Sequence, residues 1–328
     1  MNTIKILALT AMTAALTACS NDDEVISSYP SDNIVRVTAS VGEAATRASY
    51  NESNLKEFGL CLVNEQNTNY AYHNLKVTNV NGTWTPEKQM LWQNKDTKVN
   101  IVAYAPHMTW THEGGDYCVY HEFTAAFVKS DQSDATDCSS DYLVYKKENF
   151  DPSTDLDGNG CIPITFSHLF SQLNINLTFG TEFNEGQTAG YLTQNPVTDI
   201  KVGGCSILAN IFFCNTPVST TPATDQSSFE DVTPHVVANS FTAATASDKK
   251  AKVQYSCILV PQTIKAGDFS VTFTAGGKVY VWKSSADFTL ESGHQHALNL
   301  TIGKDVVELG SVSITPWEDA ATVTLTTE

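Results

Sequence analysis

Short runs of alternating apolar and polar residues, each closed by glycine, proline or asparagine, recur along most of this chain. The clearest is Leu173, Ile175, Leu177 and Phe179 alternating with Asn174, Asn176 and Thr178. A period of two puts one set on one face of an extended strand, so the run fits a strand lying on a core and fits a helix badly. Comparable runs occur at Ile101–Ala105, Val253–Val260, Phe269–Thr274, Val279–Lys283, Leu298–Ile302 and Val312–Ile314. Ala275-Gly276-Gly277 sits between two of them as a hairpin turn, where glycine supplies the positive φ that a tight turn needs. Amphipathic helical windows are few. The pattern predicts an all-β chain of sandwich type.

Two stretches read as linkers. Asp151–Gly160 is polar and turn-rich, and a new strand run begins at Ile162, so the expected domains are 48–160 and 161–328. Thr216–Ser247 is rich in Thr, Ser, Pro and Ala and reads as a long surface excursion inside the second domain.

The first 19 residues read as a lipoprotein signal peptide. Lys5 precedes an apolar run from Ile6 to Ala18, shorter than the roughly 20 residues of a spanning helix. The run ends in Leu16-Thr17-Ala18-Cys19, a lipobox in which the Cys19 thiol takes the lipid. Several acyl chains anchor firmly, at about 0.8 kcal/mol per buried methylene. Ser20 argues against retention at an inner membrane.

The chain has only two arginines, Arg36 and Arg47, although Lys and Arg together number 19. Cleavage between Arg47 and Ala48 by an arginine-specific protease would therefore remove the leader and find no further site. Residues 20–47 then form a propeptide, and it contains a strand. In Ile34–Val41, Val35, Val37, Ala39 and Val41 share one face, while Arg36, Thr38 and Ser40 share the other. Burying such side chains contributes roughly 1.5–3 kcal/mol each, and their loss would leave an apolar groove and a sheet edge open to another strand. Near the other end, Val323 and Leu325 share a face against Thr322, Thr324 and Thr326, which makes Ala321–Thr327 a candidate donor strand. The alternative is that it pairs within its own domain.

The formal charge of −17 repels nucleic acid and anionic membrane, so neither is an expected partner. Of eight cysteines, Cys19 goes to lipid; the odd seven that remain leave at least one thiol free, the spacing of Cys205 and Cys214 permits a hairpin bridge, and most of the seven read as small buried apolar residues. Asp155-Leu156-Asp157-Gly158-Asn159-Gly160 resembles the start of a calcium loop, but its twelfth position is Phe166 and its flanks are strands, so it reads as a polar turn. His107, His112, Asp116, Cys118 and His121 lack the regular spacing of a zinc site. His294 and His296 share a strand face and read as a solvated edge. Nucleophile-elbow, metalloprotease, P-loop and dinucleotide patterns are absent from the sequence, so neither enzyme activity nor a cofactor is expected.

Several segments resemble, in order, the fimbrillin family of type V pilins. In the first half these are Ala71-Tyr72-His73-Asn74, Asn81-Gly82-Thr83-Trp84, Leu91-Trp92, Val99–Pro106, Asp141-Tyr142-Leu143-Val144 and Ile164–Leu173. In the second they are Leu259-Val260-Pro261-Gln262-Thr263, Gly293–Leu300 and Ser313-Ile314-Thr315-Pro316-Trp317. Asn21-Asp22-Asp23-Glu24 resembles the acidic tract of lipoproteins exported to the surface. The resemblance implies two transthyretin-like β-sandwich domains in tandem and a fimbrial subunit carried to the cell outer membrane on a lipid anchor. It implies trimming by an arginine-specific protease and filling of the vacated groove by a strand from another fimbrillin subunit. The alternative is a non-polymerising surface adhesin on the same fold, binding a host or bacterial glycan or protein through loops such as His107–His121.

Overall fold

The computed structural model describes residues 28–42, 49–108, 123–184, 191–303 and 306–317. The chain is almost entirely β. In the first half, the strands are β1 (Arg36–Val41), β2 (Glu57–Val63), β3 (Tyr72–Val80), β4 (Thr83–Pro86), β5 (Val99–Ala105), β6 (Phe123–Phe127), β7 (Leu143–Phe150) and β8 (Cys161–His168). There follow β9 (Ser171–Phe179), β10 (Val197–Gly203), β11 (Leu208–Phe212), β12 (Ser219–Pro222), β13 (His235–Val236) and β14 (Lys252–Leu259). The last six are β15 (Gln262–Ile264), β16 (Ser270–Ala275), β17 (Lys278–Lys283), β18 (Phe288–Leu290), β19 (His294–Ile302) and β20 (Val307–Pro316). Among the described residues no helix is long and apolar enough to cross a membrane.

The first seven-stranded sheet runs β1-β8-β7-β5-β2-β3-β4 and folds over on itself. β8 meets β7 at Leu143↔His168 and Val144↔Ser167 and then diverges, carrying β1 with it. Val35, just before β1, and Val37 and Val41 within it, with Ile162, Ile164 and Phe166 of β8, pack on Phe58, Leu60, Leu62, Val77, Ile101 and Ala103. The result is a sandwich whose thinner layer has two strands, one of them β1.

A second core lies between the five-stranded sheet β13-β14-β9-β19-β20 and the three-stranded sheet β10-β16-β17. Leu173, Ile175, Leu177 and Phe179, the alternating set of β9, are at most 1% exposed, because β9 lies mid-sheet between β14 and β19. Gly276 (φ 59°) and Gly277 (φ 78°) close the β16–β17 hairpin. The seam between the two cores is apolar: Cys61, Val102 and Tyr104 from the outer face of β2 and β5 meet Leu169, Phe170, Ile258, Val260, Phe213 and Trp317.

Asp151–Gly160 joins two strands of one sheet, so the hydrogen-bonded switch to the second set of strands falls after His168 rather than at residue 160. The polar character of this stretch has a local cause. Asp151 accepts from the amide and hydroxyl of Ser153, and Asp157 Oδ1 accepts from the amides of Asn159 and Cys161. β6 also crosses between the halves, pairing with β11 from Leu208↔Phe127 to Phe212↔Phe123.

Candidate functional site

β-Branched residues fill Ile34–Val41, a composition suited to a half-buried pleated strand. Val35, Val37 and Val41 are 2%, 5% and 4% exposed, and Ala39 packs half-buried on the same cluster. β1 runs parallel to β8 in the register Arg36↔Cys161 to Val41↔Phe166. Gly42 N–H donates to the Phe166 carbonyl at 3.0 Å. By the alternation of a parallel ladder, Ile162, Ile164 and Phe166 then direct their backbone groups at β1 and lose their partners if it departs. Pro163, between them, has no N–H to offer on the side facing the diverging β7.

Arg36 is half-exposed and held by Asp32, at 2.5 Å between Nη2 and Oδ2. The guanidinium hydrogen bonds pull the Asp32 carboxyl down to about 2. Arg36 is embedded in the ladder on β8, whereas a protease must draw its substrate backbone into its own cleft. Cys19, Arg47 and Ala48 lie outside the described residues, as do Val323 and Leu325 of the candidate donor, Cys118, and Trp110 with most of its surrounding histidines.

The chain is fastened on both sides of 43–48. Before it stands the Gly42–Phe166 bond. After it, Ser49 is fully buried and accepts from Asn54 Nδ2 at 2.8 Å, and Tyr50 N–H donates to Asp141 Oδ2 at 2.7 Å. Asp141, itself fully buried, also meets His168 Nδ1 at 2.9 Å, and the His168 ring stacks on Trp317 with centroids 4.1 Å apart at 8°. Asp141, His168 and Trp317 come from three separate family-like motifs and meet at one point. Their spacing in sequence gives no hint of this, since nearly 150 residues separate the last two. The cluster ties the chain just after residue 48 to the chain just before the C-terminal segment.

β20 is the second feature that sequence reasoning missed. It pairs with β19, yet Glu308 to Pro316 are all exposed. Leu309, Val312 and Ile314 are 47%, 40% and 44% exposed, and Val279 and Val281 of the neighbouring β17 are 66% and 53% exposed. Only Val312–Ile314 was legible as a strand, because Glu308, Gly310 and the alternating serines dilute the apolar pattern.

The remaining candidates find structural roles. His296 is fully buried, which corrects the reading of a solvated edge: β19 turns it to the core side, and its Nε2 accepts the Glu291 N–H at 2.9 Å. Burial holds its pKa below the ordinary 6.5. The unfolded chain therefore takes up a proton near pH 6.5 when the folded chain does not, so this contribution is complete above pH 6.5 and is lost as the pH falls below it. Thermal unfolding between pH 7.5 and 5 should weaken more in the parent than in His296→Gln, by on the order of 1 kcal/mol; equal slopes would contradict this. Cys205 is buried and Cys214 exposed, and both are free thiols rather than the hairpin bridge their spacing permits. Burial pushes the Cys205 thiol up to about 12. Among the described residues no group of His, Cys, Asp and Glu is arranged to hold a metal ion.

A family model described as fimbrillin-like matches residues 46–317. No curated protein sequence matches the chain. Its fold is similar to that of a candidate cell-adhesion protein from Bacteroides uniformis, at 19% identity and TM-score 0.56 over 88% of this chain and 99% of that one. A candidate cell-adhesion protein from Bacteroides ovatus gives 13% identity and TM-score 0.60 over 87% and 98%. A fimbrial protein from Bacteroides vulgatus gives 16% and 0.50 over 86% and 99%.

Proposed function

The chain belongs to the fimbrillin-like family, and from that premise we propose that it is a fimbrial subunit assembled by strand replacement. In this reading Cys19 carries the lipid that takes the precursor to the outer surface of the cell. An arginine-specific protease cuts after Arg47, β1 leaves with the leader, and Ala321–Thr327 of another subunit occupies its seat. The process is a physical exchange of strands and uses no catalytic residue of this chain.

One observation carries the reading: β1 is an edge strand that supplies half of a two-stranded core layer. Strand, groove and cut are then mechanically linked. Before cleavage, the covalent link keeps β1 at high effective concentration in its own seat; afterwards that advantage ends, and an equally apolar strand competes on equal terms. The fastening of Ser49 and Tyr50 confines the disruption to the leader side of the cut. The exposure of β20 from Glu308 to Pro316 agrees with a C-terminal segment that leads away from its own domain.

A second reading, a surface adhesin that does not polymerise, draws on the exposed apolar residues of β20, Leu309, Val312 and Ile314, which share one face, since exposed apolar patches mark contact surfaces. Treatment of the purified full chain with an arginine-specific protease separates the two. Strand replacement predicts loss of residues 1–47 followed by a ladder of species on gels run without boiling. A trimmed product that stays monomeric favours the adhesin.

A further inference from the structure

We propose that the cleft between the two halves, at the Val41 end of the β1 seat, takes the overhanging acidic end of a donor segment from a second copy. This rests on strand replacement as proposed above and adds to it where the overhang is held.

Seat and donor differ in length. The leader runs extended from Ile34, bridged to Leu91, to Val41, opposite Phe166, and it turns away at Asn33 (φ 55°). Ile34–Val41 spans about 26 Å at roughly 3.3 Å per residue, whereas residues 318–328 reach about 36 Å when extended. About three residues of the donor therefore overhang, and the straight path continues at the Val41 end.

At that end the seat meets a cleft of about 850 Å³. Ser40 Oγ donates to Thr165 Oγ1 at 3.3 Å, so the last residues of β1 already touch a residue of the cleft wall. Thr165 and Ser167, on the outward face of β8, form this wall with Val144 of β7. Pro217, Gly293 and Pro316, which follow the switch after His168, form the other. An occupant of the β1 seat that ran past Val41 would enter between the two walls.

Charge decides which occupant fits. Lys146 Nζ donates to the carbonyls of Cys214 and Asn215 at 3.1 and 3.0 Å and pairs with Glu148 at 2.9 Å, so these two charges offset each other. Lys147 also lines the cleft, and it is held far less closely. Its side chain is 48% exposed, and its ion pair with Asp155 is 3.8 Å long. The cleft thus presents hydroxyls, apolar surface and a loosely paired cation. Residues 318–328 read EDAATVTLTTE: a neutral middle between Glu318-Asp319 and Glu328. Whichever way the donor runs along β8, the end that overhangs brings a carboxylate to Lys147.

The test trims the full chain with an arginine-specific protease in the presence of a fluorescent peptide and follows anisotropy. The peptide of residues 318–328 should bind at least fivefold more tightly than the peptide of residues 321–327. That advantage should vanish in Lys147→Glu and in Ser167→Trp, which fills the cleft, while the shorter peptide binds the parent and Lys147→Glu alike. Equal affinity of the two peptides for the parent would overturn the cleft and leave strand replacement standing. An advantage that persists in both variants would do the same. Binding of neither peptide to the trimmed chain would overturn both.

Discussion

Replacing Val37 by Asp should loosen the first strand without any protease. Val37 sits 5% exposed in the middle of β1, inside the cluster shared with Ile162, Ile164, Leu60 and Ile101. Val35, just before β1, and the two buried valines within it, Val37 and Val41, together contribute about 5–9 kcal/mol by burial. A carboxylate at Val37 forfeits one of those contributions and adds the cost of an unpaired buried charge, for a total of about 3–5 kcal/mol. Most of what holds β1 is thereby lost, while the second core shares no residue with the site. Hydrogen exchange should then show Ile162, Ile164 and Phe166 losing protection in the uncut chain, with Ile175 and Leu177 unchanged. Thr38→Asp, one residue on and facing solvent, should stay within about 0.5 kcal/mol of the parent. If β8 remains as protected in Val37→Asp as in the parent, β1 is not held by these contacts.

The second large effect is all-or-none. Arg47→Ala should leave the precursor at full length after exhaustive treatment with an arginine-specific protease, and no ladder should form. Two features make a single residue decisive. The sequence holds no arginine beyond residue 47, and Arg36 lies inside the β1–β8 ladder. Arg47→Lys should behave as Arg47→Ala does, because such a protease reads the planar guanidinium rather than positive charge alone. Mass spectrometry of the treated chains checks this directly. A ladder formed by uncut Arg47→Ala would show that assembly does not need the leader to leave.

Much of the fold could be read from the chain because period-two alternation is a local signal. Leu173–Phe179 and the Gly276-Gly277 turn carry their own evidence within a few residues. What was illegible depended on distant pairings. Nothing near Asp151–Gly160 says that β8 turns back to join β1, since that choice is made by Phe166 packing on Phe58 at 5.3 Å. His296 looked like its neighbour His294 because both lie on one strand; the amide of Glu291 and the core beneath distinguish them. Several family-like motifs proved to be hydrogen-bonding devices. Gln262 holds both the amide and the carbonyl of Ser206 at 2.9 Å, and the Tyr104 hydroxyl donates to the Asn74 side chain. β20 escaped notice for the opposite reason, since a strand exposed on both faces has no need of clean alternation.

The seat of β1 already carries a reporter, because Cys161 lies opposite Arg36 on β8 as a free thiol. Cysteine placed in turn at Thr322, Thr324 and Thr326 should form a disulfide with Cys161 of a second copy once residues 1–47 have been removed. One of the three positions should dominate, as a fixed register requires, and Cys161→Ser should abolish the bond. Complete trimming with no bond from any position to Cys161 of another copy would contradict strand replacement.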